Sequence, residues 1–315
     1  MSKTLYLVTT NKCQMNCPFC YTKFVSQFDI NSKDLNPDTV VKYLKSHNEY
    51  NLVVFHGGEP LLVADNILKI LDAMKDEKIE FTIQTNLAFR ELSKSQIEVL
   101  CRMSHGYGTS YSFDRFDGNE DQEKYWMDNI GFLNSMGIHH SILITVTESQ
   151  IYNQSPQSLK NYMDEIGYDT IILERPIFKL SDIRADREKY ALLYEKIDNY
   201  MKECFDIFPK DRTNLLRAVK DSIMYKKPLY PIRCSSWTDT LYRGKLKHGC
   251  PSLEKINVQD NKRNAECLQC PYFKYCMGDC ECMNIVCAFP KNTFRAVSDY
   301  LKEEQSRKEM SDLGL

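Results

Sequence analysis

Strand-like and helix-like segments alternate along the first two-thirds of the chain, and this alternation limits the available folds more than any other feature. Asn36-Pro37 marks the start of the first helix, because asparagine is a good N-cap and proline suits the first turn. Alternation of this kind predicts a parallel sheet with helices outside it, hence an α/β fold. The strand candidates are short, rich in β-branched or aromatic residues and bounded by polar residues or glycine: Leu5–Thr9, Leu52–Phe55, Glu80–Gln84, Thr109–Phe113, Ser141–Thr147 and Thr170–Glu174.

The sequence changes character near residue 225. Two helical stretches, Asp186–Phe208 and Asn214–Tyr225, follow the repeats, and from Pro228 onward the chain is dense in Cys, Gly and Pro with little periodicity. Such a segment cannot bury a large apolar core, which favours stabilisation by bound metal. We therefore predict two domains, residues 1–225 and 226–315, with a last helix that begins near Thr293 and a frayed tail over Glu303–Leu315.

The thirteen cysteines fall into groups that predict two metal-binding regions. No apolar run approaches the ~18 residues of a membrane span, and the N-terminal apolar run is too short for a signal peptide, so we expect a cytoplasmic protein. Reducing conditions there disfavour disulfides and favour metal binding. Three cysteines lie at 13–20 and eight from Cys234 to Cys287, whereas Cys101 and Cys204 stand alone and are expected to be core thiols. The net charge of −2 gives no general attraction to nucleic acid or an anionic membrane.

The first cysteine group directly follows the first predicted strand. Cys13, Cys17 and Cys20 have the spacing C-x3-C-x2-C. Thiolates suit iron–sulfur clusters, and three of them leave one iron of a four-iron cluster without a protein ligand. An open coordination position is where metal sites carry out chemistry. A partial zinc site is the alternative interpretation of the spacing alone.

Four short motifs occur in order at the ends of successive predicted strands. CQMNCPFCY (13–21) follows the first strand, HGGEP (56–60) the second and QTN (84–86) the third, while SFD (112–114) closes the fourth. This set resembles the radical S-adenosylmethionine (SAM) superfamily over residues 5–175. The resemblance implies a partial (β/α)6 TIM barrel followed by a small, irregular, cysteine-rich domain.

The resemblance also implies a mechanism. Cys13, Cys17 and Cys20 would hold a 4Fe–4S cluster whose unique iron binds SAM, and an external donor such as flavodoxin or ferredoxin would reduce the cluster. Reductive cleavage of SAM would give a 5′-deoxyadenosyl radical that removes a hydrogen atom from the substrate. Asp114 is a catalytic candidate, with capping of the next helix as the alternative. The residues implied to contact SAM lie in or beside the motifs: Tyr21, Gly57, Gly58, Glu59, Gln84, Asn86 and Ser112.

The later cysteines resemble the SPASM extension, which carries auxiliary 4Fe–4S clusters on many radical SAM enzymes. The resemblance implies one or two such clusters, and a zinc ribbon is the alternative. Cys282 would complete the first cluster or remain free as a hydrogen-atom donor in an epimerase. The resemblance assigns Cys234, Cys250 and Cys280 to one cluster, and Cys267, Cys270, Cys276 and a late cysteine, by preference Cys287, to the other.

The resemblance leaves the substrate open. Most relatives with a full SPASM extension modify peptides or proteins by crosslinking, epimerisation or oxidation, so this is the leading hypothesis. No recognition domain precedes Cys13, so a peptide would dock directly or through a separate recognition protein. A dehydrogenase or epimerase acting on an aminocyclitol, sugar or nucleotide is the alternative, and a non-catalytic iron–sulfur or zinc scaffold is a third.

Overall fold

Six parallel strands form the centre of the computed structural model, which describes residues 3–20, 34–117, 119–224, 238–242, 245–248, 269–272, 275 and 286–312. Neighbouring strands pair in chain order, as in a (β/α) repeat. This arrangement confirms the predicted α/β partial barrel. The strands are Lys3–Thr10 (β1), Tyr50–Gly57 (β2), Glu80–Thr85 (β3), Tyr107–Tyr111 (β4), His140–Thr145 (β5) and Thr170–Glu174 (β6).

Helices follow the strands, and their start signals act as the sequence predicts. Asn36 Oδ1 accepts a hydrogen bond from Thr39 N at 3.0 Å at the start of the first helix. Among the described residues, no helix is long and apolar enough to span a bilayer. The helices are Pro37–Ser46 (α1), Ala64–Ala73 (α2), Lys94–Cys101 (α3), Glu120–Ser135 (α4), Glu148–Asn153 (α5), Pro156–Ile166 (α6), Leu180–Ala185 (α7), Arg187–Ile207 (α8), Asn214–Met224 (α9) and Lys291–Asp312 (α10).

The two faces of the sheet differ in burial. Successive residues of a strand point to opposite faces, and one face packs under the helices, with Leu5, Phe55 and Ile142 each 0% exposed. The other face lines the lumen of the partial barrel and is partly open to solvent, as at Gln84 and Thr145. Because the strands are parallel, the loops after their carboxyl ends meet at one edge.

The fourth strand begins two residues earlier than predicted and ends at Tyr111 instead of Phe113. The predicted strand left out Gly108, and glycine is a residue that strands disfavour. Gly108 nevertheless belongs to β4, where a Cβ would lie 2.8 Å from Leu143 Cδ1 on the neighbouring strand. Close packing across the lumen face therefore explains the glycine.

A hairpin that the sequence did not predict extends the sheet beyond β1. Strand β7 (Thr238–Tyr242) pairs with β1 in parallel, and β8 (Lys245–His248) pairs with β7 in antiparallel orientation. The chain after residue 225 therefore contributes two strands to the same sheet. The domain boundary near 225 stays a prediction.

The C-terminal helix α10 docks on α8 and α9. The Asp198 carboxylate accepts hydrogen bonds from Asn292 N at 2.7 Å and from Thr293 N at 2.9 Å, so it caps the start of this helix. The predicted fraying from Glu303 is wrong as far as Asp312, because the helix continues to that residue. Charge pairs one turn apart, such as Lys308–Glu304 at 2.8 Å, support its last turns.

Candidate functional site

The loop after β2 lies directly against the loop after β1. Gly58 N donates to Thr10 O at 2.7 Å, and Glu59 N donates to Lys12 O at 2.8 Å. A Cβ on Gly58 would lie 2.2 Å from Lys12 O, and one on Gly57, whose φ is +134°, would lie 2.4 Å from Thr10 O. Only glycine permits this approach. Both glycines thus seat the HGGEP segment against the residues just before the first cysteine, whereas their predicted contact with SAM stays a prediction.

Glu59 is fully buried and joins the end of β2 to the end of β3. Its Oε1 accepts hydrogen bonds from Leu61 N at 2.9 Å and Thr85 Oγ1 at 2.8 Å, and its Oε2 accepts one from Asn86 N at 2.6 Å. These bonds fill three of the roughly four acceptor positions of a carboxylate. Burial raises the pKa of Glu59 to about 7, although the hydrogen bonds and the charge of Arg115 act to lower it.

Asn86 links Glu59 to Cys13 through its backbone and its side chain. Its backbone is held by Glu59, and its Nδ2 donates to Cys13 Sγ at 3.4 Å and to Gln14 Oε1 at 3.2 Å. Cys13 is accessible to solvent, yet desolvation by the surrounding protein raises the pKa of its thiol to about 11. A cation at this position would favour the thiolate. The QTN segment after β3 therefore contacts the cysteine loop after β1, across the end of β2.

Cys17 and Cys20 lie on the same loop as Cys13. A turn in which Cys20 N donates to Cys17 O at 3.2 Å brings the second and third cysteines together. None of the three forms a disulfide. Within the described ranges, no three His, Cys, Asp or Glu side chains converge as a single metal ion would require. The loop thus presents three separate thiols at the carboxyl edge.

Arg115 belongs to the site although the sequence did not indicate it. It is 2% exposed, and its Nη2 donates to Asn86 O at 2.5 Å. Burial lowers the pKa of Arg115, while the charges of Cys17, Glu59 and Cys13 raise it. The guanidinium therefore lies beside two of the predicted metal ligands.

Two of the three guanidinium nitrogens of Arg115 have no hydrogen-bond partner among the described residues. Nε and Nη1 make no hydrogen bond of good geometry with a described residue, although the Cys17 thiol lies near the guanidinium. The guanidinium carbon lies 4.9 Å from the ring centre of Phe116 and 5.9 Å from that of Trp126. Only tertiary packing identifies this residue, because a single arginine after SFD matches no motif or periodicity.

The remaining predicted contacts lie farther along the same edge. Gln84 is half-buried on the lumen face, and its amide has no hydrogen-bond partner among the described residues. Ser112 is fully buried and donates to Asp114 Oδ1 at 2.8 Å, and Thr147 Oγ1 donates to the same oxygen at 3.1 Å. Asp114 thereby joins the ends of β4 and β5. Its catalytic role and the SAM contacts of Gln84 and Ser112 stay predictions.

Part of the second cysteine group lies within the described residues. Cys270 and Cys287 both act on Lys291, whose pKa they raise, with Cys287 the larger influence. Both thiols therefore lie near one ammonium group, in agreement with their assignment to a common cluster, which stays a prediction. The other predicted residues of this group, together with one predicted SAM contact, lie outside the described residues: Cys234, Cys250, Cys267, Cys276, Cys280, Cys282 and Tyr21.

Residues 7–152 match the family model of the Radical SAM superfamily. An uncharacterized protein from Archaeoglobus fulgidus is 30% identical over 108 residues, which cover 34% of this chain and 25% of that protein. Radical SAM cyclopropyl synthase TigE from Paramaledivibacter caminithermalis is 31% identical over 103 residues, which cover 27% of this chain and 22% of TigE. The chain thus spans about a quarter of the length of these curated relatives.

Solved structures of Streptococcus suis SuiB share the fold over most of the chain. SuiB bound to S-adenosylmethionine gives a TM-score of 0.55 at 18% identity and covers 90% of this chain and 73% of SuiB. SuiB bound to its precursor peptide SuiA gives a TM-score of 0.55 at 17% identity and covers 90% and 72%. At this level of identity the likeness establishes the fold.

Proposed function

Because residues 7–152 form a domain of the radical SAM superfamily, we propose that the chain is an enzyme that cleaves SAM reductively and uses the resulting radical to modify a peptide or protein. The observation that carries this proposal is the connection from Glu59 through Asn86 to Cys13. It joins three of the four motifs at one edge of the barrel. Such an edge is where parallel β/α folds place their chemistry.

The residues at this edge fit a 4Fe–4S cluster with bound SAM. Cys13, Cys17 and Cys20 would hold the cluster, and the leftover guanidinium nitrogens of Arg115 offer donors and positive charge to anionic groups beside it. Such a cluster would supply the electron for the reductive cleavage of SAM.

Glu59 would act mainly by positioning its neighbours. Its carboxylate is largely occupied by internal donors, which leaves about one acceptor position for the ammonium of SAM. Gln84, whose amide on the lumen face has no partner among the described residues, and Ser112 are assigned to the ribose or carboxylate of SAM, and Tyr21 to the adenine. Gly57 keeps the loop backbone close enough to the cysteine loop to complete the pocket.

The second cysteine group is assigned to one or two auxiliary clusters. The proximity of Cys270 and Cys287 to the same lysine supports a shared cluster for these two. Their function would be to take up an electron from the substrate radical or to bind substrate.

A peptide substrate is supported by what related proteins are named for or bind. TigE is named a cyclopropyl synthase, and SuiB has been solved with its precursor peptide. We assign the same class of substrate to this chain, with the peptide docked directly or through a separate recognition protein. A flavodoxin or ferredoxin would supply the electron.

Anaerobic reconstitution with iron and sulfide tests the radical chemistry. The wild type should bind iron, develop the brown absorbance of iron–sulfur clusters and form 5′-deoxyadenosine from SAM after dithionite reduction. Cys17→Ala should lose the N-terminal cluster and 5′-deoxyadenosine formation. The prediction that Cys101 is a core thiol is wrong, because Cys101 is exposed at the end of α3, so Cys101→Ala should change neither.

Two outcomes would overturn the proposal. If the wild type forms no 5′-deoxyadenosine, or if Cys17→Ala forms as much as the wild type, the chain is not a radical SAM enzyme.

Co-expression with short peptides encoded beside the gene, followed by mass spectrometry, tests the substrate class. Unchanged peptide masses together with turnover of an amino sugar would replace the peptide by a small molecule.

A further inference from the structure

Glu174, the last residue of β6, places a carboxylate in the lumen at the carboxyl edge of the sheet. Along this strand Ile171 and Leu173 are buried under the helices, so Ile172 and Glu174 face the lumen. Glu174 lies opposite Thr145 in the register of β5 and β6, and Thr145 also lies on the lumen face. The carboxylate thus shares its edge with the cysteine loop.

Within the described part of the chain, this carboxylate has no partner. No described residue forms a hydrogen bond or ion pair with the side chain of Glu174, in contrast to Glu59, whose carboxylate receives three hydrogen bonds. The side chain is accessible to solvent, yet desolvation by the surrounding walls raises its pKa to about 7. An accessible but poorly hydrated carboxylate is a good receptor for a donor that a ligand brings.

The charged residues on the lumen face indicate which kind of ligand group Glu174 can bind. From Thr4 to Glu174, the lumen-facing positions of β1 to β6 include no lysine or arginine. The other formal negative charge on this face, Glu80, lies at the amino end of β3 and pairs with His105 at 2.7 Å. At the carboxyl edge, Glu174 is therefore an uncompensated negative charge within the described strands.

We propose that Glu174 binds a cationic group of the substrate, a protonated amine or a guanidinium, and so orients the substrate in the lumen. The assignment rests on the proposed function, because it takes the substrate to enter at the carboxyl edge. A lysine or arginine side chain of a peptide and the ammonium of an amino sugar share this chemistry. Glu174 is then a specificity-determining residue, and it takes no part in binding the cluster or SAM.

Binding of matched cationic and neutral probes tests the proposal. The probes are the blocked peptide acetyl-Gly-Gly-Lys-Gly-Gly-amide against its norleucine analogue, and glucosamine against glucose. Calorimetry on the anaerobically reconstituted protein with SAM, at pH 8 where the carboxylate is ionised, gives each affinity. We expect a cationic probe to bind about tenfold more tightly than its neutral partner, as a charged hydrogen bond allows.

Three variants test whether Glu174 causes the preference for the cationic probe. Glu174→Gln should abolish the preference for the cation, and Glu174→Asp should keep part of it. Glu80→Gln changes the net charge equally at the other end of the lumen and should leave the preference unchanged. A preference shown only by the peptide pair identifies a peptide as the source of the cation, and one shown only by the sugar pair identifies a small molecule.

The proposal is overturned if neither cationic probe binds more tightly than its neutral partner, or if Glu174→Gln keeps the preference. Formation of 5′-deoxyadenosine without substrate is measured in the same samples. We expect Glu174→Gln to retain it. A wild type that shows the preference but makes no 5′-deoxyadenosine would contradict the radical chemistry alone.

Discussion

The two ends of the sheet's carboxyl edge each carry a glutamate, and these glutamates differ in burial and in hydrogen bonding. At the ends of β2 and β3, Glu59 is fully buried and receives three hydrogen bonds, one of which holds Asn86 beside Cys13. At the end of β6, Glu174 is accessible and has no partner among the described residues. The residues around Glu59 are held in place without a ligand, whereas Glu174 gains its partner from the cationic group that we propose it binds. Substitutions should therefore cost stability at the first end and only ligand binding at the second.

The largest effect is expected for Glu59→Ala. Loss of the carboxylate leaves three buried donors unsatisfied, which should lower the free energy of unfolding of the apo protein by about 3 kcal/mol. Denaturation by urea under reducing conditions measures this. Glu80→Ala removes an exposed partner of His105 and should cost less than about 1 kcal/mol. A loss in Glu59→Ala no larger than that in Glu80→Ala would show that the hydrogen bonds of Glu59 add little stability and would remove its contrast with Glu174.

The pKa of Glu59 predicts how the stability of the apo protein varies with pH. The folded-state pKa of about 7 lies above the ordinary value of 4.5, so the folded protein holds the proton more tightly. Stability from this group is therefore present below pH ~4.5 and declines by an amount on the order of 3 kcal/mol as the pH rises through 7. Relative to Glu59→Gln, the wild type should lose stability between pH 5 and pH 8. A constant difference across this range would contradict the assignment.

Gly58→Ala tests the contact between the two loops. The new Cβ would lie 2.2 Å from Lys12 O, so the cysteine loop has to shift, at a cost of about 2 kcal/mol and with poorer iron incorporation. Gly131→Ala is the matched control, because nothing lies within 4 Å of a Cβ there. In the middle of α4 that change should stabilise the protein by about 0.5–1 kcal/mol. Normal iron incorporation in Gly58→Ala would show that the loops tolerate separation.

Arg115→Met tests whether Arg115 stabilises the folded protein or the bound iron. Methionine removes a buried charge with two leftover nitrogens, so the stability of the apo protein should change by less than about 1 kcal/mol or increase. Iron retention during gel filtration should fall severalfold, because donors beside Cys17 are lost. Arg102→Met, which removes a surface partner of Asp72, should leave iron retention unchanged. A parallel loss of stability and iron would make Arg115 a purely structural residue.

The smallest effect on stability is expected for Glu174→Gln. Since Glu174 has no partner among the described residues, the free energy of unfolding should stay within about 0.5 kcal/mol of the wild type. The same denaturation experiment checks this. A loss of more than about 1 kcal/mol would reveal a partner in the folded protein and would weaken the contrast with Glu59.

The sequence predicted elements whose signals are local. Asn36 caps α1 as expected, and β6 has the predicted bounds, Thr170–Glu174. The motifs meet because parallel strands in chain order bring their carboxyl ends together. That rule placed Asn86 near the cysteine loop, although it could not specify that Glu59 is occupied mainly by internal donors.

The features that the sequence missed depend on contacts between distant segments. Gly108 is a poor strand residue alone, and its place in β4 reflects close packing against Leu143 on the next strand. The β7–β8 hairpin is held by pairing with β1, more than 200 residues earlier in the chain. Arg115 acquires its place from Asn86, Phe116 and Trp126, and no local pattern encodes such a cluster.

The alternation at the end of β6 restricts how this chain can evolve. Glu174 turns into the lumen, and the next residue, Arg175, is buried and donates to Ala288 O, next to Cys287. Deletion of one residue within β6 would shift the strand register by one, moving the Glu174 carboxylate under the helices and the Arg175 guanidinium to the lumen position. Length changes among homologues should therefore collect in the connection before Thr170 and spare the strand itself.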